Sequence, residues 1–278
     1  MKPYTPNPFE KYVDEGYVLL KGFYSPSRVE RALEYLSQCA TRALEREGDL
    51  HANLQALREL FPERYSNLLN AFVRSMTLRE LLFNDPSLMN LLTQLQLIEP
   101  VYTTYPVSHL ISEDLWSNPN KPGEIVGSPW HQDWASMQGS LNALTCWIPL
   151  LDVGENFPLQ CIAGSHRDGL RPHEDHGNTF PEAAPTPTQQ QNIVTLHCER
   201  GDMVIFSSFL LHRTRPQSAG SSGFRAAVSI RFDDMSDESY RNRDYYCAYR
   251  HTVDREIRTF PTSEEIVHSI KKGNEALH

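Results

Sequence analysis

No Cys-x-x-Cys pair occurs in this chain, and its five cysteines (Cys39, Cys146, Cys161, Cys198 and Cys247) are odd in number and widely spaced. Zinc ribbons, thiolate-bound iron–sulfur clusters and disulfide frameworks are thereby excluded, and reduced, mostly buried thiols are expected. Basic residues are also scarce: 26 Lys and Arg stand against 35 Asp and Glu, a formal charge of −9. Nucleic acid is therefore not an expected partner, because gripping a phosphate backbone needs a basic face. A small anion remains compatible, since one buried arginine can hold a carboxylate whatever the total charge. Long apolar runs are missing as well. None approaches a membrane span, and Met1-Lys2-Pro3-Tyr4-Thr5-Pro6 has no apolar leader segment. The ending Ala276-Leu277-His278 is not of the peroxisomal Ser-Lys-Leu type. The expectation is a cytoplasmic protein with no membrane partner, a monomer or homodimer. With 278 residues, 40% hydrophobic and 22% charged, the chain can bury a large core as a single domain.

Along the chain, Asn7-Pro8 predicts a helix start that runs to about Glu15 and ends at Gly16 before a strand, Tyr17–Leu20. Ser25-Pro26 opens a second helix, whose Val29, Ala32, Leu33, Leu36, Ala40, Ala43 and Leu44 recur at helical spacing. The pattern stays helical from Leu54 to about Leu97, with breaks near Pro62 and at Asn84-Asp85-Pro86. After Pro100 the texture changes. Val101–Tyr105, Leu144–Ile148, Ile193–Leu196, Met203–Phe206 and Ala226–Ile230 are rich in β-formers and separated by glycine- and proline-bearing turns. Strands with no helical pattern between them predict a sandwich or jelly roll, not alternating βαβ units. Residues 171–191, with His173-Glu174-Asp175-His176 and Gln189-Gln190-Gln191, read as a surface loop or lid. A last helix is expected over Ser263–Lys272, with Ile266, Val267 and Ile270 on one side. The division is a helical part over about 1–99, a β core over about 100–235 and an extension over 236–278.

Chemistry concentrates at Trp130-His131-Gln132-Asp133-Trp134. In an extended segment residues two apart project to the same face, which places the His131 imidazole beside the Asp133 carboxylate. With His212 as third ligand, the set is two imidazoles and one carboxylate, a set that suits Fe(II) with positions left open for reactants. Arg225 opens the run Arg225-Ala226-Ala227-Val228. Strand alternation turns it either inward, where its planar fork can take a carboxylate, or out to water.

These pieces, in this order, resemble the phytanoyl-CoA dioxygenase family of Fe(II)/2-oxoglutarate oxygenases. The matching segments are His131-Gln132-Asp133, Trp147-Ile148-Pro149-Leu150, Asn156 through His166, Gly201-Asp202-Met203-Val204-Ile205-Phe206, His212 and Gly223-Phe224-Arg225, within roughly residues 15 to 235. The resemblance implies a mainly β protein with helical flanks, built on a double-stranded β-helix (a jelly-roll, cupin-like barrel). It implies His131, Asp133 and His212 as iron ligands, and Arg225 as the partner of the distal carboxylate of 2-oxoglutarate. Thr214 would assist that arginine, Gln132 and Trp147 would line the 2-oxoglutarate pocket, and His166 would serve structure. Two positions depart from the family pattern: Asn156-Phe157-Pro158 replaces an Asn-Gly pair, and Ala163 stands where proline is usual. Both are expected on a turn away from the ligands.

The implied activity uses Fe(II), 2-oxoglutarate and O2 to hydroxylate an aliphatic C–H of a small-molecule substrate, releasing succinate and CO2. Asp133 argues for hydroxylation over halogenation, since related halogenases have a small residue there. Desaturation or oxidative cyclisation by the same oxidant is one alternative. Two others lie in different classes: a non-catalytic jelly-roll binding protein and a zinc hydrolase. The substrate expected is a biosynthetic intermediate and not an acyl-CoA, because no basic cluster for CoA phosphates lies near the motifs. Tyr102, Tyr105, Trp134, Met137 and Gln138 are the candidate substrate contacts.

Overall fold

The computed structural model describes residues 8–112, 127–155, 157–174, 181–215, 223–248 and 261–272. Helix α1 (Pro8–Glu15) stops at Gly16, which adopts φ +79°, and strand β1 (Tyr17–Leu20) follows. Only glycine fits there: a Cβ would lie 2.4 Å from His166 Nδ1. Helix α2 (Pro26–Leu44) buries Val29, Ala32, Leu36 and Ala40, as its spacing predicts.

The long helical stretch is cut more finely than expected. It comprises α3 (Leu50–Leu60), α4 (Pro62–Arg74), α5 (Met76–Leu78) running into a π turn at Arg79–Phe83, and α6 (Pro86–Gln94). The additional break falls at Ser75, whose hydroxyl caps the next turn by accepting from the Leu78 N–H at 3.1 Å. Asp49 and Asp85 cap α3 and α6 in the same way.

Two antiparallel sheets follow, with strands β2 (Pro100–Tyr102), β3 (Val107–Ser112), β4 (Leu144–Pro149), β5 (Leu159–Ile162), β6 (Ile193–Leu196), β7 (Met203–Ser207), β8 (His212–Thr214) and β9 (Phe224–Asp234). The larger sheet runs β1-β7-β4-β9-β2, with β3 also paired to β9, and the smaller runs β6-β5-β8. Strand β1 thus belongs to the large sheet, although it lies in the part of the chain read as helical. Of the run read as a strand over 101–105, only Val101 and Tyr102 are strand, in β2, and a further strand, β3, begins at Val107.

Period-two alternation gives each face of the large sheet its own task. Cys146, Ile148, Met203, Ile205, Ala226, Val228, Ile230 and Phe232 join the core formed with α2 to α6. Burying each of the Val, Ile, Met and Phe side chains among these is worth about 1.5–3 kcal/mol, which fixes the register. The opposite face carries Trp147, Val204, Phe206 and Ala227, which pack with Leu159, Cys161 and Leu196 of the smaller sheet. The same face of β9 carries Arg225, Ser229 and Arg231 into the space between the sheets.

A short helix α7 (Asp133–Met137) lies near one end of this space. Helix α8 (Glu238–Arg241) follows the sheet, and helix α9 (Ser263–Lys272) returns Ile266 and Ile270 to the main core. No helix among the described residues is long and apolar enough to cross a membrane.

Candidate metal centre

The two histidines are locked together through the backbone before their side chains are considered. His131 and His212 form an antiparallel bridge, with N–H to O distances of 3.0 and 3.1 Å in the two directions. Their rings therefore sit side by side, centroids 4.1 Å apart. Gln132 continues extended (φ −117°, ψ 126°), and Asp133 then begins α7, so the extended geometry expected of this motif ends one residue early. That is enough to bring the carboxylate round: one donor atom from each of His131, Asp133 and His212 lies within 4.8 Å of the others, and all three residues are buried. The Asp133 Oδ1 stands 3.5 Å from His131 Nε2 and 3.9 Å from His212 Nε2.

Hydrogen bonding fixes which nitrogens face Asp133. His131 Nδ1 lies 2.8 Å from the Pro129 carbonyl, and His212 Nδ1 lies 2.9 Å from the Leu210 carbonyl. A carbonyl only accepts, so each Nδ1 carries the proton and each Nε2 presents its lone pair toward Asp133. Burial, helped by the neighbouring His131, pulls the His212 pKa down to about 3, so that imidazole is neutral. Burial alone would raise the Asp133 pKa. The guanidinium of Arg231 reverses this and holds the carboxyl well below the usual carboxylate range. Arg231 Nε donates to Oδ2 at 3.0 Å and its Nη2 to Oδ1 at 3.1 Å, while Thr145 Oγ1 donates to Oδ2 at 2.7 Å. Two imidazoles and one ionised carboxylate converging on one point form a donor set that fits a divalent ion such as Fe(II).

Arg225 points inward and is 2% exposed. Its Nη1 donates to the Phe157 carbonyl at 2.7 Å, and its Nη2 approaches Thr214 Oγ1 at 3.4 Å. The guanidinium carbon lies 5.7 Å from the centre of the Trp147 ring. Its Nε is buried without a partner, and burial pulls its pKa down to about 9. A cation this deep with an orphaned donor has the chemistry of an anion site awaiting a carboxylate. The cavity between it and the histidines is lined by His109, Ser128, His131, Thr145, Trp147, Leu159, Phe206, His212, Thr214, Arg225, Ser229 and Arg231.

Thr214 and Trp147 line this cavity as expected. Gln132 does not: its amide donates to the Gly169 and Phe209 carbonyls at 2.9 and 2.6 Å and accepts from the Arg171 N–H at 2.8 Å. Adjacent to two ligands in an extended segment, it must face the other way, and there it fastens the start of the 171–191 loop.

The five candidate substrate contacts also lie elsewhere. Trp134 is fully buried, stacked on Phe209 at 5.2 Å under the Arg243 guanidinium. Met137 and Gln138 are buried in and just after α7. Tyr102 packs on Phe232, and Tyr105 is 65% exposed beneath Arg74. None of the five is among the described walls of the cavity.

Sequence reasoning missed His109, Ser128, Thr145, Leu159, Phe206, Ser229 and Arg231 in these walls. A signal existed for two of them: Ser229 and Arg231 stand at even spacing from Arg225, so one strand must present all three on one face. The Asn156-Phe157-Pro158 departure is likewise not remote. Phe157 takes φ +51° and gives its carbonyl to Arg225. Residue 156 and the pair 175–176 of the His173-Glu174 cluster lie outside the described residues. His166 has a structural place, buried against Gly16 with Nε2 3.0 Å from the Val13 carbonyl.

The family model described as phytanoyl-CoA dioxygenase (PhyH) matches residues 12–227. Among solved structures, the apo form of the non-haem monooxygenase ThoJ superposes with a TM-score of 0.52 at 14% identity, over 82% of this chain and 77% of that one. The non-haem α-ketoglutarate-dependent carbocyclase SnoK of nogalamycin biosynthesis gives 0.50 at 17% identity, over 84% and 85%. At these identities the likeness is one of fold. A comparison with curated protein sequences returned no match.

Proposed function

Because this chain belongs to the phytanoyl-CoA dioxygenase family of non-haem iron, 2-oxoglutarate-dependent enzymes, we propose that His131, Asp133 and His212 hold its Fe(II), and that Arg225 with Thr214 receives the distal carboxylate of 2-oxoglutarate. Its β core is then the double-stranded β-helix of that family, with the cavity at the mouth of the barrel. The metal, 2-oxoglutarate and O2 together supply an oxidant able to remove hydrogen from an unactivated carbon, with succinate and CO2 as products. The reaction proposed is hydroxylation of an aliphatic C–H in a small-molecule biosynthetic intermediate.

The observation that carries this reading is the joint presence of the ligand set and the orphaned donor of Arg225 in one cavity. A zinc hydrolase has use for the three ligands but none for a buried guanidinium open toward a second anion. A binding protein without metal has no use for two Nε2 lone pairs aimed at one carboxylate oxygen.

The remaining work of the protein is physical. Trp147, Leu159 and Phe206 wall the cavity with apolar surface, which lowers the local dielectric and strengthens the hold of Arg225 on a carboxylate. The Pro129 and Leu210 carbonyls orient both imidazoles. Keeping water out protects a reactive centre from side reactions.

Anaerobic titration with Fe(II) followed by 2-oxoglutarate tests the reading. A weak visible charge-transfer band should appear, and His212→Ala should abolish it. Absence of the band in the unaltered, fully folded protein would count against the assignment.

A further inference from the structure

The carboxylate of Asp133 is held more elaborately than a ligand's charge alone requires. Oδ2 accepts two hydrogen bonds, from Thr145 Oγ1 at 2.7 Å and Arg231 Nε at 3.0 Å, whereas Oδ1 accepts one, from Arg231 Nη2 at 3.1 Å. Oδ1 is also the oxygen that faces the Nε2 atoms of both histidines. Arg231 is itself braced: its Nη1 donates to Ser229 Oγ at 3.2 Å, and that hydroxyl meets His109 Nε2 at 2.8 Å. Sheet register builds this arrangement, for Thr145 lies directly opposite Arg231 and Trp147 opposite Ser229 on β4 and β9. Each nitrogen of Arg231 donates within this network, to Asp133 or to Ser229. Arg225, six positions earlier on the same face, has a buried donor without a partner. The two buried arginines therefore have separate tasks.

Resting on the reading of His131, Asp133 and His212 as metal ligands, we infer that Arg231 and Thr145 are positioning residues that make Asp133 a one-oxygen ligand, with Ser229 and His109 bracing the guanidinium from behind. Thr145 and Arg231 saturate Oδ2 and fix the rotation of the carboxylate, so that Oδ1 alone is presented to the ion. A carboxylate free to rotate can chelate with both oxygens and occupy a position that the reactants need. Arg231 also neutralises the buried carboxylate, which would otherwise be costly to keep ionised before the ion arrives.

The test uses full-length protein and Co(II) alone, without 2-oxoglutarate, reading affinity by titration and coordination by the visible d–d spectrum. Partners that orient a metal ligand typically contribute 10–100-fold in metal affinity. Thr145→Val, nearly isosteric, should weaken Co(II) binding by about 10-fold or more and change the d–d spectrum, while Thr145→Ser should restore both. Arg231→Met should weaken binding further, toward about 100-fold. Thr145→Val protein that folds with unchanged circular dichroism yet keeps wild-type affinity and spectrum overturns the inference, as does failure of Thr145→Ser to restore them. Failure of the unaltered protein to bind Co(II) overturns the metal reading itself, an outcome separate from these. Should Arg231→Met not fold, the Thr145 pair decides.

Discussion

Replacing Arg225 by Met removes the cation assigned to 2-oxoglutarate while nearly preserving side-chain length. Truncating one partner of a buried, hydrogen-bonded charge pair costs 2–5 kcal/mol of binding or more, much of it from the charge left unpaired. Taking about 3 kcal/mol, the Kd for 2-oxoglutarate should rise about 100-fold. The ligand-free protein should suffer far less. Burial already disfavours this guanidinium, pulling its pKa down to about 9, so its removal relieves a desolvation cost. Against that relief stands the Phe157 carbonyl, which loses a donor at 2.7 Å, a penalty of about 1–3 kcal/mol. The two offset each other. Thermal unfolding of the Fe(II)-loaded protein under anaerobic conditions should show this as a split result. Without 2-oxoglutarate, Arg225→Met and wild type should melt within a few degrees of each other. With 2-oxoglutarate at about 100 times the wild-type Kd, wild type should gain about 2.7 kcal/mol and the variant only a few tenths. A variant that retains the wild-type Kd and the wild-type gain refutes the assignment of Arg225. One that simply fails to fold would show that the residue is structural, and Arg225→Lys would then decide whether charge at that point restores binding.

Other perturbations test the scaffold around the site. His166 is fully buried and burial pulls its pKa down from 6.5 to about 4, so the unfolded chain takes up the proton first as pH falls. Its contribution is complete above about pH 6.5 and should fall by about 3 kcal/mol toward pH 4, a slope that urea denaturation should find missing in His166→Gln. Gly16→Ala combines φ +79° with a Cβ only 2.4 Å from His166 Nδ1, and should lower unfolding free energy by about 2 kcal/mol or more. Phe157→Gly relieves a left-handed backbone at φ +51° worth about 1–2 kcal/mol but empties a fully buried aromatic site worth about 3–5 kcal/mol. A net loss of about 2–3 kcal/mol in urea denaturation is expected. Equal stability would mean that the ring's packing is worth only about 1–2 kcal/mol, the backbone strain it offsets.

What could be read from the sequence divides along a physical line. Apolar periodicity is a local signal, and it located α2, α9, β4, β6 and β7 closely because burial of one face dictates it. Strands β3, β5 and β8 were missed. Strands β3 and β8 carry His109, His212 and Thr214 toward the cavity, which breaks the apolar alternation, and β5 is only four residues long. Residues with strong intrinsic chemistry, the two histidines and Asp133, were found because spacing brings two of them together and family resemblance supplies the third. Residues whose importance comes from cross-strand register, Thr145 opposite Arg231 above all, have no signature in the linear chain. The aromatic candidates Trp134, Tyr102 and Tyr105 stand outside the cavity walls described above. Being near a motif in sequence does not decide which way a side chain points once α7 begins.

One ion sitting among His131, Asp133 and His212 is the central expectation for this protein. Crystals grown anaerobically with Fe(II) and 2-oxoglutarate, with data collected at the iron absorption edge, test this directly. A single anomalous peak about 2.0–2.2 Å from His131 Nε2, His212 Nε2 and Asp133 Oδ1 is the predicted result, with Oδ2 still held by Thr145 and Arg231 and a carboxylate of 2-oxoglutarate on Arg225. An ion bound elsewhere, or a co-substrate that leaves Arg225 unengaged, would contradict it.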